Sequence, residues 1–145
     1  MPVTGKVHVG DGSTWKCAVT ETLRAGPLKL YWLGGGLLAL LEGASPVKWE
    51  TAGNLVSETS VGGLFTDAAL VEIQALREEP LEEVNEAIDE ILDVEEDETG
   101  EGVVKTPAGE RFAVFQVPAE GSYRVDKGID GTGAVVALVV VIPES

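Results

Sequence analysis

The fold of this chain is decided by the run Ala134-Val135-Val136-Ala137-Leu138-Val139-Val140-Val141-Ile142. Valine dominates the run, and β-branched side chains fit a pleated strand better than a helix. The predicted strand is apolar on both faces, unlike a strand that has one face in water. We therefore expect it to lie in the centre of a sheet or to be covered by another subunit, because an exposed copy would promote aggregation.

Short strand patterns separated by turn residues precede this run. The pattern predicts strands at 102–106, 111–117 and 122–125, turns at 107–109 and 118–121, and a glycine-containing loop at 126–133. Regular spacing of strands and turns is typical of an antiparallel sheet in a sandwich or small barrel. We assign residues 102–145 to a C-terminal β meander.

The N-terminal part is predicted to form two hairpins. Their strands are Lys6–Val9 with Trp15–Thr20, and Leu28–Leu33 with Leu37–Leu41. The turns fall at glycine-containing clusters, Gly10-Asp11-Gly12-Ser13 in the first hairpin and Gly34-Gly35-Gly36 in the second. A buried helix over Leu37–Leu41 is the alternative, since so short an apolar run has no decisive periodicity.

The stretch between Pro46 and Leu64 has a weaker pattern. Short strands are predicted at Val47–Trp49 and Asn54–Val56. Gly62-Gly63 indicates a loop that leads into the helical part of the chain.

An acidic helical segment is predicted at about residues 66–97. Thr66 or Asp67 can act as its N-cap, because the side-chain oxygen accepts a hydrogen bond from a backbone N–H that has no helical partner. Pro80 is expected to stop or bend this first helix. A second helix follows, and its narrow apolar stripe consists of Leu81, Val84, Ile88 and Ile91. We expect its end at 95–98 to fray, because acidic charge there opposes the helix dipole.

The whole chain is predicted to be one mainly β domain of the α+β class. Its 145 residues fit an ordinary single domain and are sufficient to bury a core. The predicted architecture is an antiparallel sandwich or small barrel, into which residues 66–101 are inserted as the acidic helical segment. With one cysteine, Cys17, no disulfide can form within the chain.

Acidic charge is concentrated in one segment. The net charge is −15, and residues 72–101 contain 14 acidic residues and one basic residue, so the rest of the chain is nearly neutral. Such a field repels phosphate backbones, and we expect no nucleic-acid binding. We also expect a soluble protein, because neither 28–41 nor 134–142 provides the roughly 20 apolar residues of a spanning helix.

No catalytic, metal or cofactor motif is recognisable in the sequence. His8 is the only histidine, and no Gly-x-Ser-x-Gly elbow accompanies it, so we interpret it as a half-exposed strand residue. Cys17 is interpreted as a small buried hydrophobe and Gly10-Asp11-Gly12 as a turn. The acidic runs 93–98 and 126–130 lack the glycine and glutamate spacing of a calcium loop and are interpreted as solvated charge.

Two sets of apolar residues are candidates for interaction. The stripe Leu81, Val84, Ile88 and Ile91 packs either on the protein's own sheet or on a partner or second copy, with the surrounding acids steering a basic partner. Val135, Val139 and Val141 belong to the two-faced C-terminal strand that another subunit would cover.

The phrase Lys6-Val7-His8-Val9-Gly10-Asp11-Gly12-Ser13-Thr14-Trp15 resembles one that is common near strands in bacteriophage fibre, appendage and other virion proteins. A β-rich, glycine-rich, cysteine-poor chain with a C-terminal meander also resembles the small auxiliary proteins that decorate phage heads. The resemblance implies a virion structural protein that forms homo-oligomers, often trimers, and binds the capsid or another particle protein. It implies no catalytic residues.

The sequence thus favours a non-catalytic, oligomeric virion component that stabilises a particle as capsid decoration or appendage. It would be located in the virion, or otherwise in the cytoplasm. One alternative is an acidic binding module that captures a basic protein. Another is an enzyme with carboxylate chemistry, which would need two acids of different pKa in a deep pocket.

Overall fold

The computed structural model describes residues 2–3, 5–33, 36–93 and 100–142. These residues form eleven strands and two helices. The strands are β1 Pro2–Val3, β2 Lys6–Asp11, β3 Cys17–Thr22, β4 Gly26–Leu33, β5 Gly36–Leu41, β6 Lys48–Ser57, β7 Val61–Thr66, β8 Glu101–Lys105, β9 Arg111–Gln116, β10 Gly121–Ile129 and β11 Val135–Val141. The helices are α1 Asp67–Ala75 and α2 Glu78–Leu92.

The strands form two antiparallel sheets that pack as a sandwich. The larger sheet has six strands in the order β1-β4-β5-β11-β10-β6, and the smaller has five in the order β3-β2-β7-β9-β8. The predicted mainly β, antiparallel α+β fold is confirmed, and of the two predicted architectures it is the sandwich, since the described strands do not close into a barrel.

The main hydrophobic core lies between the two sheets. Alternate residues of β11 contribute to it, with Val136, Leu138 and Val140 almost completely buried. Leu64 and Val9 face them from the smaller sheet and are also fully buried. The period of two that a strand imposes on its side chains therefore places one apolar face of β11 inside the sandwich.

Both helices cover the outer face of the smaller sheet. Phe65 of β7 and Phe112 of β9 are fully buried there, with ring centroids 5.1 Å apart. Ile73 of α1 and Ile88 of α2 pack in the same cluster. The central strands β7 and β9 of the smaller sheet are thus buried on both faces by the chain itself.

Of the two alternatives for the C-terminal strand, a central position in a sheet or cover by another subunit, the structure shows the central position. β11 pairs with β5 on one side and with β10 on the other. The strand pairings of the two N-terminal hairpins are also confirmed as β2–β3 and β4–β5, so Leu37–Leu41 is a strand and not a helix. Of the predicted second turn, Gly34 and Gly35 lie outside the described residues, and Gly36 belongs to β5. Trp15, predicted in a strand, instead lies in the turn with φ 59°.

The prediction of a single C-terminal meander is wrong in its connectivity. β8 and β9 belong to the smaller sheet, whereas β10 and β11 belong to the larger one. The chain crosses between the sheets at 117–120, where the Tyr123 hydroxyl donates to the Ala119 carbonyl oxygen at 2.6 Å. β10 also continues to Ile129, through part of the predicted loop. Turn residues indicate where a strand ends but not which sheet the next strand joins.

The prediction of a loop at Gly62-Gly63 is wrong, because both glycines lie within the buried strand β7. A Cβ atom on Gly62 would lie 2.4 Å from the ring of Phe115, and one on Gly63 would lie 2.5 Å from the ring of Phe65. These glycines make room for aromatic rings and do not form a turn. The two short strands predicted before them are one strand, β6, with an irregularity near Gly53.

The helical segment begins as predicted and then differs. The Thr66 side chain accepts a hydrogen bond from the Ala69 N–H at 3.2 Å, which confirms the N-cap. The first helix already ends at Ala75, and Pro80 lies in the first turn of α2. Proline is tolerated there because the first N–H groups of a helix have no helical acceptor. The predicted fraying at 95–98 lies outside the described residues.

No helix in the described part of the chain is both long enough and apolar enough to cross a membrane.

Candidate interaction surface

A polar cluster at the first hairpin turn is centred on the carboxylate of Asp11, which is fully buried. Its Oδ1 accepts the backbone N–H groups of Ser13 and Thr14, each at 2.8 Å. Its Oδ2 accepts those of Glu58 at 2.7 Å and Thr59 at 3.1 Å, in the turn between β6 and β7. The Thr59 hydroxyl lies 3.0 Å from both oxygens. One side chain therefore fastens two turns that are distant in sequence.

These hydrogen bonds keep Asp11 ionised. Burial by itself would raise the pKa of the carboxyl, because a buried charge loses hydration. The N–H donors of Thr14, Ser13 and Glu58 and the hydroxyl of Thr59 outweigh burial, and the pKa lies below its ordinary value of 3.8. Since its oxygens are occupied by the protein's own donors, Asp11 acts as a structural carboxylate. Gly10 and Asp11, predicted in the turn, instead end strand β2, and only Gly12 and Ser13 of the predicted cluster lie in the turn.

His8 lies between two side chains of neighbouring elements. Its Nδ1 is 2.9 Å from Thr20 Oγ1 on β3, and its Nε2 is 2.9 Å from Asp67 Oδ1 at the start of α1. Because an ionised Asp67 only accepts, a neutral His8 donates from Nε2 and accepts the Thr20 hydroxyl at Nδ1. The interaction ties the first helix to the first hairpin.

The order hydroxyl, imidazole, carboxylate is also that of an acyl-transfer triad. A triad needs a substrate cleft and oxyanion donors beside the hydroxyl as well. Thr20 instead lies exposed on β3, at the edge of the smaller sheet. A groove of about 530 Å³ lies elsewhere, at β4 and β8. No acidic residue is among the six residues that line it, which are Leu28, Lys29, Leu30, Tyr31, Trp32 and Val103. We therefore assign His8 a structural role.

Cys17 is not a reactive thiol. Burial, together with the negative charge of Asp11, raises the pKa of Cys17 to about 12. The thiolate, which is the nucleophilic form, is therefore almost unpopulated at neutral pH. The side chain is half-buried and packs beside the cluster under the helices.

No group of three or more potential metal-ligating side chains occurs among the residues with a described structure. In the run 126–130, Asp130 instead organises a turn, accepting the Thr132 hydroxyl at 2.7 Å and the N–H groups of Thr132 at 2.9 Å and Ala134 at 3.1 Å. These bonds, that of the Thr132 hydroxyl first, hold the pKa of Asp130 below its ordinary value of 3.8. Of the run 93–98, only Asp93 is described.

The apolar stripe of α2 faces the protein's own sheet. Val84 and Ile88 are each 2% exposed, and Leu81 and Ile91 are half-buried against the same cluster. Of the two interpretations of this stripe, the structure shows the one in which it packs on the protein's own sheet. The stripe covers apolar side chains on the outer face of the smaller sheet. We therefore do not assign these residues to a partner-binding surface.

The outer face of the larger sheet, which points away from the sandwich core, carries an apolar strip on β4, β5 and β11 that the described part of the chain leaves uncovered. Beside this strip lies Asp126 of β10, the cross-strand neighbour of Val139, which pairs with Arg124 at 3.1 Å. On β11 the strip carries Val139 and Val141, and on β5 it carries Leu38 and Leu40, all of them half-buried. Val139 is the cross-strand neighbour of Leu38, and Tyr31 on β4 extends the same row. Val135, by contrast, lies beside a bulge at the start of β11 and packs against the inter-sheet core.

Two aromatic side chains flank this outer face. Tyr31 is 42% exposed at one side and Trp49 is 47% exposed at the other. Trp49 on β6 lies over Gly128, where a Cβ atom would be 3.0 Å from the indole ring. Neither residue was singled out by the sequence pattern. Their shared face follows from the pairing of five strands, which spacing within one strand does not reveal.

The charged residues on or beside this outer face have local partners of opposite charge. Lys29 pairs with Glu42 at 3.7 Å, Lys48 with Glu50 at 3.3 Å and Arg124 with Asp126 at 3.1 Å. The face therefore combines an apolar centre with nearly neutral surroundings.

Comparisons of the chain with protein-family models, with curated proteins and with solved structures found no match.

Proposed function

We propose that this chain is a non-catalytic structural protein, an oligomeric virion component that stabilises a particle as capsid decoration or as part of an appendage. The observation that carries this proposal is the uncovered apolar outer face of the larger sheet, with Val139 and Val141 on its central strand. Contiguous exposed apolar surface on a folded domain marks an interaction site.

The structural roles of the polar side chains support the same function. Asp11 and Asp130 stabilise turns, and His8 with Asp67 ties a helix to a hairpin. Each of these groups already has partners within the fold. These four residues thus serve the stability of the scaffold.

Particles purified from the source that encodes the chain provide the test. We expect the chain in a fixed stoichiometric ratio to the major shell protein, measured by quantitative mass spectrometry of washed particles. Particles assembled without the chain should disrupt at a lower temperature and regain stability when purified chain is added. Absence of the chain from purified particles would refute the virion role.

The exposed charge of α2 favours a second candidate, an acidic module that binds a basic protein. All seven acidic residues of this helix are exposed, namely Glu78, Glu79, Glu82, Glu83, Glu86, Asp89 and Glu90. The helix contains no lysine or arginine. Opposite charges across an interface accelerate association and make it dependent on salt.

An oligolysine peptide is a suitable probe for this second candidate. Binding should weaken steeply as salt rises, and the combined substitution of Glu82, Glu83 and Glu86 by lysine should abolish it. Substitution of Glu42, Glu50 and Glu120 by lysine changes the net charge equally and should have a smaller effect. Equal effects of the two triple variants would show that the α2 surface is not a specific binding site.

A further inference from the structure

We propose that a second copy of this chain covers the outer face of the larger sheet. The two copies pack this same face together about a twofold axis, with their acidic helices at the two far ends. The inference rests on the proposed function only in treating the outer face as the assembly surface.

The composition of the outer face matches that of a protein interface. Its centre is formed by half-buried aliphatic side chains, Leu38, Leu40, Val139 and Val141. The exposed aromatic residues Tyr31 and Trp49 flank this centre. An apolar centre with aromatic enrichment is characteristic of the buried part of interfaces.

The size of the face is sufficient for a dimer. Five strands about 4.8 Å apart, β4, β5, β11, β10 and β6, each extend at least about 20 Å and together present on the order of 500 Å², with the polar residues of β10 included. Two such faces bury on the order of 1,000 Å², which reaches the lower range of specific interfaces. Packing of sheet on sheet is also the way in which this chain builds its own core.

The distribution of charge is compatible with a second copy of this acidic protein at the outer face. The acids of α2 lie on the far side of the sandwich, because both helices pack on the smaller sheet. With sheets about 10 Å apart and a similar helix-to-sheet distance, the two α2 helices of a face-to-face dimer lie on the order of 50 Å apart. This separation is several times the Debye length of about 8 Å at physiological salt. Salt therefore screens the repulsion between the two α2 helices. The charges beside the outer face are paired within each copy and add little repulsion between the copies.

The symmetry of the contact determines the number of copies. A surface that meets its own copy makes an isologous contact, which closes at a dimer. A trimer, which the sequence resemblance implies, would need two different surfaces on each copy. The outer face is one surface, so we infer a dimer.

Analytical ultracentrifugation of the full chain at micromolar concentration tests this inference. We expect twice the mass of one chain. The substitution Val139→Asp places a carboxylate at the centre of the face in both copies and should raise the dissociation constant about 100-fold or more. The matched control is Val71→Asp, since Val71 is 60% exposed on α1, on the side of the smaller sheet, and its substitution should leave the dimer intact.

A second variant guards against misfolding of the first. Tyr31 is exposed, so Tyr31→Ser should fold normally and still weaken the dimer about 10-fold. A folded chain that is monomeric throughout, a trimeric mass, or a dimer insensitive to both Val139→Asp and Tyr31→Ser would each overturn the inference. A monomeric chain found in purified particles would refute the dimer and leave the virion role standing. A dimeric chain that is absent from purified particles would refute the virion role and leave the dimer standing.

Discussion

Replacing Asp11 by asparagine should destabilise the fold strongly, although Asp11 lies at the end of strand β2, next to a turn. Its buried oxygens accept four backbone N–H groups and the Thr59 hydroxyl at 2.7–3.1 Å. Asparagine has nearly the same shape, but it carries no charge and has one accepting oxygen. Its amide group would face either the donors of the first hairpin turn or those of the β6–β7 turn.

The expected magnitude follows from these contacts. A hydrogen bond to a charged group contributes about 1.5–3 kcal/mol, and contributions within one cluster are not additive. The donors at Ser13, Thr14, Glu58 and Thr59 are half-buried or exposed, so water can satisfy some of them after the substitution. We therefore expect Asp11→Asn to lower the free energy of unfolding by about 2–4 kcal/mol, a large part of the roughly 5–15 kcal/mol of a typical domain.

Urea unfolding followed by circular dichroism measures this loss. Asp130→Asn is the matched control, since Asp130 is also a turn carboxylate but accepts only from Thr132 and Ala134, two to four residues away. It should have a clearly smaller effect. A loss below about 1 kcal/mol for Asp11→Asn, which is close to the effect of an ordinary surface substitution, would refute the bridging role.

The pH dependence of unfolding checks the same reasoning. Because the folded-state pKa of Asp11 is lower than the ordinary value of 3.8, the unfolded chain binds the proton more tightly. The stabilisation by Asp11 is therefore complete above the unfolded-state pKa and is lost as pH falls through the folded-state pKa. The difference in stability between the native chain and Asp11→Asn should shrink below about pH 4.

Three further substitutions or reactions test individual features of the fold. Gly62→Ala should cost about 1–3 kcal/mol in thermal or urea unfolding, because its Cβ would meet the ring of Phe115, whereas Gly131→Ala, with open space around it, should be nearly neutral. Equal effects of the two glycine variants would contradict this packing. Thr66→Ala should cost about 1 kcal/mol through loss of the helix N-cap, and an unchanged urea midpoint would contradict that role. Cys17 should react with a thiol reagent far more slowly in the folded chain than in urea, because its pKa is raised to about 12; equal rates would show that the thiol is accessible and ionisable.

The features predicted correctly from the sequence depend on local signals. The two N-terminal hairpins follow from glycine clusters between β-forming runs, and the start of α1 follows from the capping chemistry of Thr66. The central position of β11 follows from its two apolar faces. Each of these inferences uses the properties of neighbouring residues, which the sequence contains directly.

The errors concern glycine, proline and connectivity. Gly62-Gly63 has the composition of a turn, and only the distant ring of Phe115 explains why glycine is needed within a strand. Pro80 is compatible with both the end and the first turn of a helix. The sheet that β10 joins depends on its pairing with β6, more than sixty residues earlier in the chain. Long-range contacts decide all three cases, and a single sequence does not show them.

The residues of the candidate interaction surface were also predicted only in part, because long-range contacts decide which apolar side chains the fold buries. Val139 and Val141 lie on the outer face of the larger sheet, whereas Val135 is drawn toward the core by the bulge between Gly128 and Ile129. The stripe on α2 has the same apolar character but meets the protein's own sheet. Hydrophobicity identifies side chains whose burial away from water is favourable. The fold determines whether other parts of the same chain bury them.

The two sheets of this protein show what a covered and an uncovered outer face look like within one molecule. On the smaller sheet, α1 and α2 leave Phe65 and Phe112 with 0% exposure. On the larger sheet, Tyr31 and Trp49 retain 42% and 47% exposure. Both faces carry apolar side chains, although charged residues of β4 and β10 border those of the larger sheet, and burial of apolar surface is favourable on both. Because the described part of the chain covers the outer face of the smaller sheet only, the proposed contact between copies is assigned to the larger sheet. The charge distribution agrees with this assignment, because the acids of α2 lie on the side of the molecule where the helices cover the smaller sheet.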